Sequence, residues 1–225
     1  MLTIASTPPP HLTANELRQR ARERFYASPS DSLFDPRTGR SWGRSDFDLN
    51  PELLVDLAMM KPARPAAVLV PIVARNELTM LLTVRTDGLP THAGQIAFPG
   101  GKVETSDSGP EAAALREAHE EIGLEATHVE PLGFLDSYRS GTGFHIMPVV
   151  ALIAPEFTLH PNPGEVADTF EVPLSFLMDE ANYQQHSRPW QGRQRHYYAI
   201  PYGERYIWGA TAGMIKNLHE RLFSA

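Results

Sequence analysis

The chain has 225 residues, 20 Lys and Arg against 27 Asp and Glu for a formal charge of −7, and no cysteine. That length supports one large domain or a compact domain with extensions, and the missing cysteine excludes disulfide frameworks, thiolate metal sites and cysteine nucleophiles. The acidic balance excludes the broad basic face that binding to a nucleic acid backbone requires, so a phosphorylated ligand needs a metal or a few placed cations.

The N-terminal MLTIASTPPPHL has neither the basic start nor the apolar core of a secretory signal. The longest apolar stretch, Pro65 to Ala74, is about half a membrane span and is bracketed by Arg64 and Arg75. The expectation is a cytoplasmic protein with no membrane segment. Ala14 to Tyr26 reads as an arginine-rich helix, followed by a Ser, Asp, Pro and Gly loop, and Pro51 to Met60 as a second short helix. Residues 1 to 60 are therefore expected to form an N-terminal helical and loop extension, with the main domain at 61 to 225.

That domain opens with two apolar, β-branched runs, Ala66 to Arg75 and Thr79 to Thr86, separated by Asn76-Glu77 in the manner of a hairpin. A loop from Asp87 to Gly94, the stretch Gln95 to Phe98 and the turn Pro99-Gly100-Gly101 come next. A helix is expected from Pro110 to Ile122, with Ser108 and Glu111 at capping-box spacing and Gly123 placed to stop it. Val129 to Tyr138, Phe144 to Ala154, Val166 to Val172 and Arg195 to Tyr202 read as strands, and Gly209 to Phe223 as the closing helix. Strands and helices alternate without a βαβ rhythm, so the fold class is α/β of the α+β type: a mixed sheet flanked by helices on both faces.

In REAHEEIGL, residues 116 to 124, Glu117, Glu120 and Glu121 stand at i, i+3 and i+4 and share one helix face. Like-charge pairs at these spacings cost roughly 0.2–0.5 kcal/mol each, so a solvated helix gains nothing from them. Leu115, Ala118 and Ile122 lie on another face and can anchor the helix to a sheet. Acidic helix faces are common and usually mean only solvation. Here, however, a glycine turn able to bring backbone groups to a metal or phosphate precedes the helix, with Glu104 and Asp107 between them. Several oxygens on one rigid element suit a hard cation, Mg2+ or Mn2+.

Residues 101 to 124, GKVETSDSGPEAAALREAHEEIGL, resemble the Nudix box: a glycine, a spaced acid, Arg-Glu, an apolar residue, Glu-Glu and Gly-apolar. Two departures stand out, Asp107 in place of glutamate and one extra residue between it and Arg116. Leu81 to Gly101, LLTVRTDGLPTHAGQIAFPGG, is similar to the signature preceding the box in coenzyme A pyrophosphatases, with Pro90 where that pattern has a second arginine. The resemblance covers roughly residues 65 to 220 and implies a Nudix-like α/β/α sandwich. It also implies hydrolysis of a diphosphate linkage in a coenzyme A-like nucleotide.

The resemblance further implies that Glu117, Glu120 and Glu121 hold the metal, with the carbonyl of Gly100, and that Arg116 orients a neighbouring glutamate. The general base is Glu117 or Glu165, the latter in the loop Asn162-Pro163-Gly164-Glu165. Arg85, His92, Lys102 and His145 are candidates to meet substrate phosphates, and Phe144 to support an adenine or pantetheine arm. A homodimer through the first helix is one arrangement the sequence allows. The rival class is a Nudix-fold regulator that binds a nucleotide without cutting it. Against that rival stands the intact glutamate set, whose mutual repulsion a pure binder has no need to keep. A zinc-protease helix is excluded because Gly123 stands where a second histidine is needed, and a P-loop because Ile96 and Val103 replace its Gly and Ser/Thr.

Overall fold

The computed structural model describes residues 11–30, 44–53, 63–88, 93–190 and 192–224. The first helix, α1, spans Ala14–Arg24, with Thr13 and Glu16 forming a reciprocal capping box and Leu17 and Ala21 buried. The first strand, β1, is Arg44–Ser45. Of the expected second helix only Pro51–Leu53 is described, as a single 3-10 turn; the remainder falls outside the described residues.

The domain continues with β2 (Arg64–Val73), β3 (Thr79–Arg85), β4 (Ile96–Ala97), β5 (Gly100–Lys102) and the box helix α2 (Pro110–Ile122). Then come β6 (Val129–Phe134), β7 (Tyr138–Arg139), β8 (Phe144–Ile153), β9 (Val166–Pro173) and the short α3 (Leu174–Leu177). The chain closes with β10 (Gln184–Trp190), β11 (Arg193–Tyr202), β12 (Arg205–Trp208) and α4 (Ala210–Phe223). Among these, β10 and β12 were not legible: β10, QQHSRPW, is largely exposed and carries no period-2 apolar signal, and β12 is only four residues long with one buried side chain, Ile207.

The main sheet runs β1-β7-β8-β2-β3-β4, with β5 also on β2, β6 on β8 and β9 on β3; β10-β11-β12 form a second, antiparallel sheet. It is mixed, because β2 and β8 run parallel over ten residue pairs while β3, β5 and β9 pair antiparallel. The expected hairpin is real but brief: β2 and β3 pair only at Ile72–Met80 and Val73–Thr79. Beyond that, β2 belongs to β8 and β5, and β3 to β9. Pro71 falls where β2 has left β5 and not yet joined β3, a gap in which a missing N–H breaks no pair on that side.

Because side chains alternate along a strand, β2 serves two cores. Val68, Val70 and Ile72 pack with α1 and α4 residues such as Leu17, Ile215 and Leu218, whereas Ala67, Leu69 and Val73 pack with Ala113, Ala114, Ala118 and Ile122 of α2. A strand buried on both faces reads as an unbroken apolar run, as Ala66 to Val73 does. Helices therefore cover both faces, and the alanines of α2 let it lie close to the sheet. Among the described residues no helix is long and apolar enough to cross a membrane.

The start of α2 departs from expectation. Gly109 is the N-cap, makes no side-chain cap bond, and is followed by Pro110 at the first helical position. Proline fixes φ and needs no N–H partner there, so the helix begins one residue after the position that would let Ser108 cap it. The Ser108–Glu111 capping box is not formed. Gly123 does end the helix in the left-handed conformation, φ 69°, which glycine adopts without steric cost.

Candidate active site

The turn after β4 and the carboxylate face of α2 meet at Gly100 and Gly101. Gly100 has no room for a side chain, since a Cβ would lie 2.4 Å from the Ala67 carbonyl oxygen. At Gly101 a Cβ would fall 2.4–2.6 Å from the Glu117 carboxylate. Both glycines are thus required by close approach, one to a strand and the other to the Glu117 side chain.

The glutamates share a face but not an environment. Glu121 is 3% exposed and accepts the Gly100 N–H at 3.1 Å, with Arg85 Nη1 3.7 Å from its other oxygen. Burial pushes its carboxyl up to about 7; the Gly100 N–H and Arg85 oppose this, while Glu117 and Glu165 add to it. Glu117 is also raised, first by burial, against the pull of Arg116 and with Glu120 and Glu165 adding repulsion. Glu120 points outward, its side chain 54% exposed and joined to Arg116 at 3.0 Å.

Arg116 binds the acidic groups together. Its Nε and Nη2 donate to Asp107 at 3.0 and 3.1 Å, its Nη1 to Glu117 at 3.1 Å and Glu120 at 3.0 Å, and Nη2 also to the Lys102 carbonyl at 3.1 Å. Asp107, only 5% exposed, also accepts the Glu104 N–H. The extra residue before α2 and the shorter aspartate thus still deliver a bidentate clamp on Arg116. Its carboxyl is held below the ordinary range, chiefly by Arg116.

Glu165 arrives from the loop after β8. Asn162 N–H donates to the Glu121 carbonyl, His160 N–H to the Ile122 carbonyl and Thr86 N–H to the Glu165 carbonyl. The loop is therefore pinned to the end of α2 and of β3. The field of Glu165 reaches both Glu117 and Glu121. Asn162, which donates to Glu165 at 3.3 Å and supports this loop, was missed as a contributor; only its neighbours in the Asn-Pro-Gly-Glu turn hinted at it.

The structure brings together Gly100, Arg85, Arg116, Glu117, Glu120, Glu121 and Glu165. Lys102 is exposed and follows Gly101 in β5, so its side chain lies on the opposite face from Glu117 while its carbonyl serves Arg116. His145 is buried, 3% exposed, with Nε2 2.8 Å from Ser137 Oγ, and is not within reach of a ligand as it stands. His92 and Pro90 lie outside the described residues. Phe144 is half-buried beneath the Arg64 guanidinium, 4.0 Å from the ring centroid.

Hard carboxylate oxygens, one of them almost fully buried and made more basic by burial and by neighbouring acids, match the donor chemistry of a hard divalent cation. The donor set therefore fits such a metal chemically. Among the described residues no three His, Asp or Glu side chains already stand in a coordinating arrangement, since Glu117 and Glu120 are drawn to Arg116.

Comparison with known proteins gives the same direction. Residues 63–197 match the family described as NUDIX domain. The chain is 42% identical over 159 residues to the uncharacterized Nudix hydrolase NudL of Photorhabdus laumondii, covering 71% of this chain and 85% of that protein. It is 40% identical to the uncharacterized Nudix hydrolase NudL of Yersinia pestis strain Pestoides F, covering 71% and 80%. A cocrystal structure of the NUDIX domain of Shewanella oneidensis NrtR with ADP-ribose matches at a TM-score of 0.47 and 19% identity, over 77% of this chain and 99% of that one. With the box helix, its glycine turn and this extent of sequence identity in agreement, the chain belongs to the Nudix hydrolase family.

Proposed function

We propose that this chain hydrolyses the diphosphate linkage of coenzyme A or acyl-coenzyme A to 4′-phosphopantetheine and adenosine 3′,5′-bisphosphate, using Mg2+ or Mn2+. The observation that carries the reading is the buried Glu121 carboxylate at the Gly100 turn, with Glu117 and Glu165 close enough to raise its proton affinity. Glu117, Glu121 and Glu120, with the Gly100 carbonyl, are the groups that would hold the metal. Such a metal supplies a more acidic water and neutralises phosphoryl charge.

The chain's own residues do the rest. Arg116 and Asp107 keep Glu117 oriented, and Glu117 or Glu165 takes the proton of the attacking water. Arg85 stands beside Glu121 with a quarter of its side chain exposed, a cation placed to meet a phosphate oxygen. The coenzyme A preference rests on the signature from Leu81 to Gly101. Pro90 stands in place of its second arginine, and NADH or ADP-ribose is the second reading within the same chemistry. Residues 61–225 act as the catalytic domain, with 1–60 as an extension, and the reaction is placed in the cytoplasm.

The test offers purified protein with Mg2+ or Mn2+ a panel of coenzyme A, NADH, ADP-ribose and nucleoside triphosphates, with products identified by mass. Phosphopantetheine is the expected product. Its absence, with another member of the panel cleaved, would leave the hydrolase and remove the coenzyme A assignment.

A further inference from the structure

Asp46 precedes the matched residues 63–197, yet its carboxylate joins distant parts of the domain. Oδ1 accepts the Tyr138 hydroxyl at 2.9 Å, and Oδ2 accepts the Gly141 N–H at 2.7 Å and Arg195 Nη2 at 2.5 Å. The side chain is 9% exposed. Its backbone N–H donates to the Arg139 carbonyl, extending the parallel pairing of β1 with β7. Asn50, fully buried, reinforces the join by donating to the carbonyls of Asp46 and His196 and accepting the His196 N–H at 2.7 Å.

What this carboxylate fixes is the loop between β7 and β8. Ser140 N–H donates to the Phe144 carbonyl and Gly143 N–H to the Ser140 carbonyl, closing the loop on itself. Arg195 lies flat against Gly141, where a Cβ would be 2.9 Å from Nη2. The loop also borders the box. The Gly143 carbonyl accepts the Arg64 N–H at 3.0 Å, and the carbonyl of the next β2 residue, Pro65, accepts the Val103 N–H at 3.1 Å. Consecutive residues of β2 thus hold the loop on one side and the start of the box on the other, and Ala67, two residues further along β2 than Pro65, pairs with Gly101, against which Glu117 packs.

We propose that Asp46 is a positioning residue: through Gly141 it sets the loop Ser140 to Phe144 as a rim that holds the part of the substrate beyond the scissile diphosphate. This rests on the site reading above. A group that contributes binding equally to substrate and transition state changes KM and leaves kcat alone. Losing a charge-assisted bond to the loop in Asp46→Asn is therefore expected to raise KM about tenfold with kcat within about twofold.

Asp46→Glu keeps the charge beside Arg195 but displaces the oxygens by one methylene, and is expected to raise KM by a smaller factor while folding normally. The probe is whichever of coenzyme A, NADH and ADP-ribose the unmodified chain cleaves best. Amide hydrogen exchange supplies a second readout, with Gly141 and Gly143 exchanging faster in Asp46→Asn while α2 stays protected. An unchanged KM in both variants, or exchange that quickens equally in α2, would overturn the positioning role. If the unmodified chain cleaves none of the three, the site reading fails and the substrate role of the loop fails with it.

Discussion

Two arginine-centred networks lie in different parts of the molecule and teach opposite lessons. In one, Arg221 donates Nε to Asp136 Oδ2 at 2.9 Å and Nη2 to Oδ1 at 2.6 Å, while Asn217 donates to the same carboxylate at 2.8 Å and the Tyr26 hydroxyl at 3.2 Å. One cation meets one anion, and neutral groups satisfy the rest. In the other, Arg116 and Arg85 face Asp107, Glu117, Glu120, Glu121 and Glu165, so anions outnumber cations. Burial opposes ionisation in both places. At Asp136 the Arg221 and Asn217 bonds outweigh it and the carboxyl is lowered; at Glu117 and Glu121 burial wins and the carboxyls are raised. A balanced network stabilises the fold, whereas one with surplus buried charge weakens it unless a cation arrives.

The sharpest way to break that contrast is to neutralise one acid in each network. Glu121→Gln is expected to cut kcat by about 10³-fold, the scale of losing a main electrostatic contact in an active site. Without metal its denaturant midpoint should equal or exceed that of the unmodified chain, because a surplus charge has gone. A divalent ion at about one hundred times its Kd should stabilise the unmodified chain by about 2.7 kcal/mol and the Gln variant by much less. A Gln variant that is less stable without metal, yet keeps full activity, would place Glu121 with Asp136 as a structural acid.

Next in size is Gly101→Ala. A Cβ 2.4–2.6 Å from the Glu117 carboxylate must push it aside. A displacement on the order of 1 Å at a catalytic group costs about 10²-fold in rate. Steady-state kinetics beside a thermal melt checks this, with a large loss of kcat and little loss of stability expected.

Much of the Arg116 network was legible because its residues sit close in sequence. Helical spacing alone put Glu117, Glu120 and Glu121 on one face, and the turn at Gly100 needed only its two glycines to be noticed. Spacing could not reveal that Glu120 faces solvent while Glu121 is buried, because that depends on where β5 crosses the helix. Glu165 was visible as a loop acid, but its approach to Glu121 depends on backbone bonds from Asn162 and His160 to the end of α2. The Arg221 network was illegible for the same physical reason: Tyr26, Asp136 and Arg221 are brought together only by the tertiary packing of the segments that follow α1 and β6 against α4. The long strands were read where burial made them apolar; β10 was missed because it is largely exposed, and β12 because four residues are too short to show a period.

The mildest test concerns acid stability. Asp136→Asn removes the anion opposing Arg221 in a partly buried setting and is expected to cost about 2 kcal/mol at neutral pH, with activity unchanged. Because the folded carboxyl is lowered from its ordinary 3.8, the folded state holds its proton less tightly than the unfolded chain does. That contribution is fully present above the unfolded value and is lost as pH falls through the folded one, so it should fade below about pH 4. Denaturant melts of both proteins at pH 6 and near pH 3 check the sign: the gap between them should narrow at the lower pH. A gap that widened there would mean that Asp136 is stabilised in its protonated form, and the contrast with Glu121 would collapse.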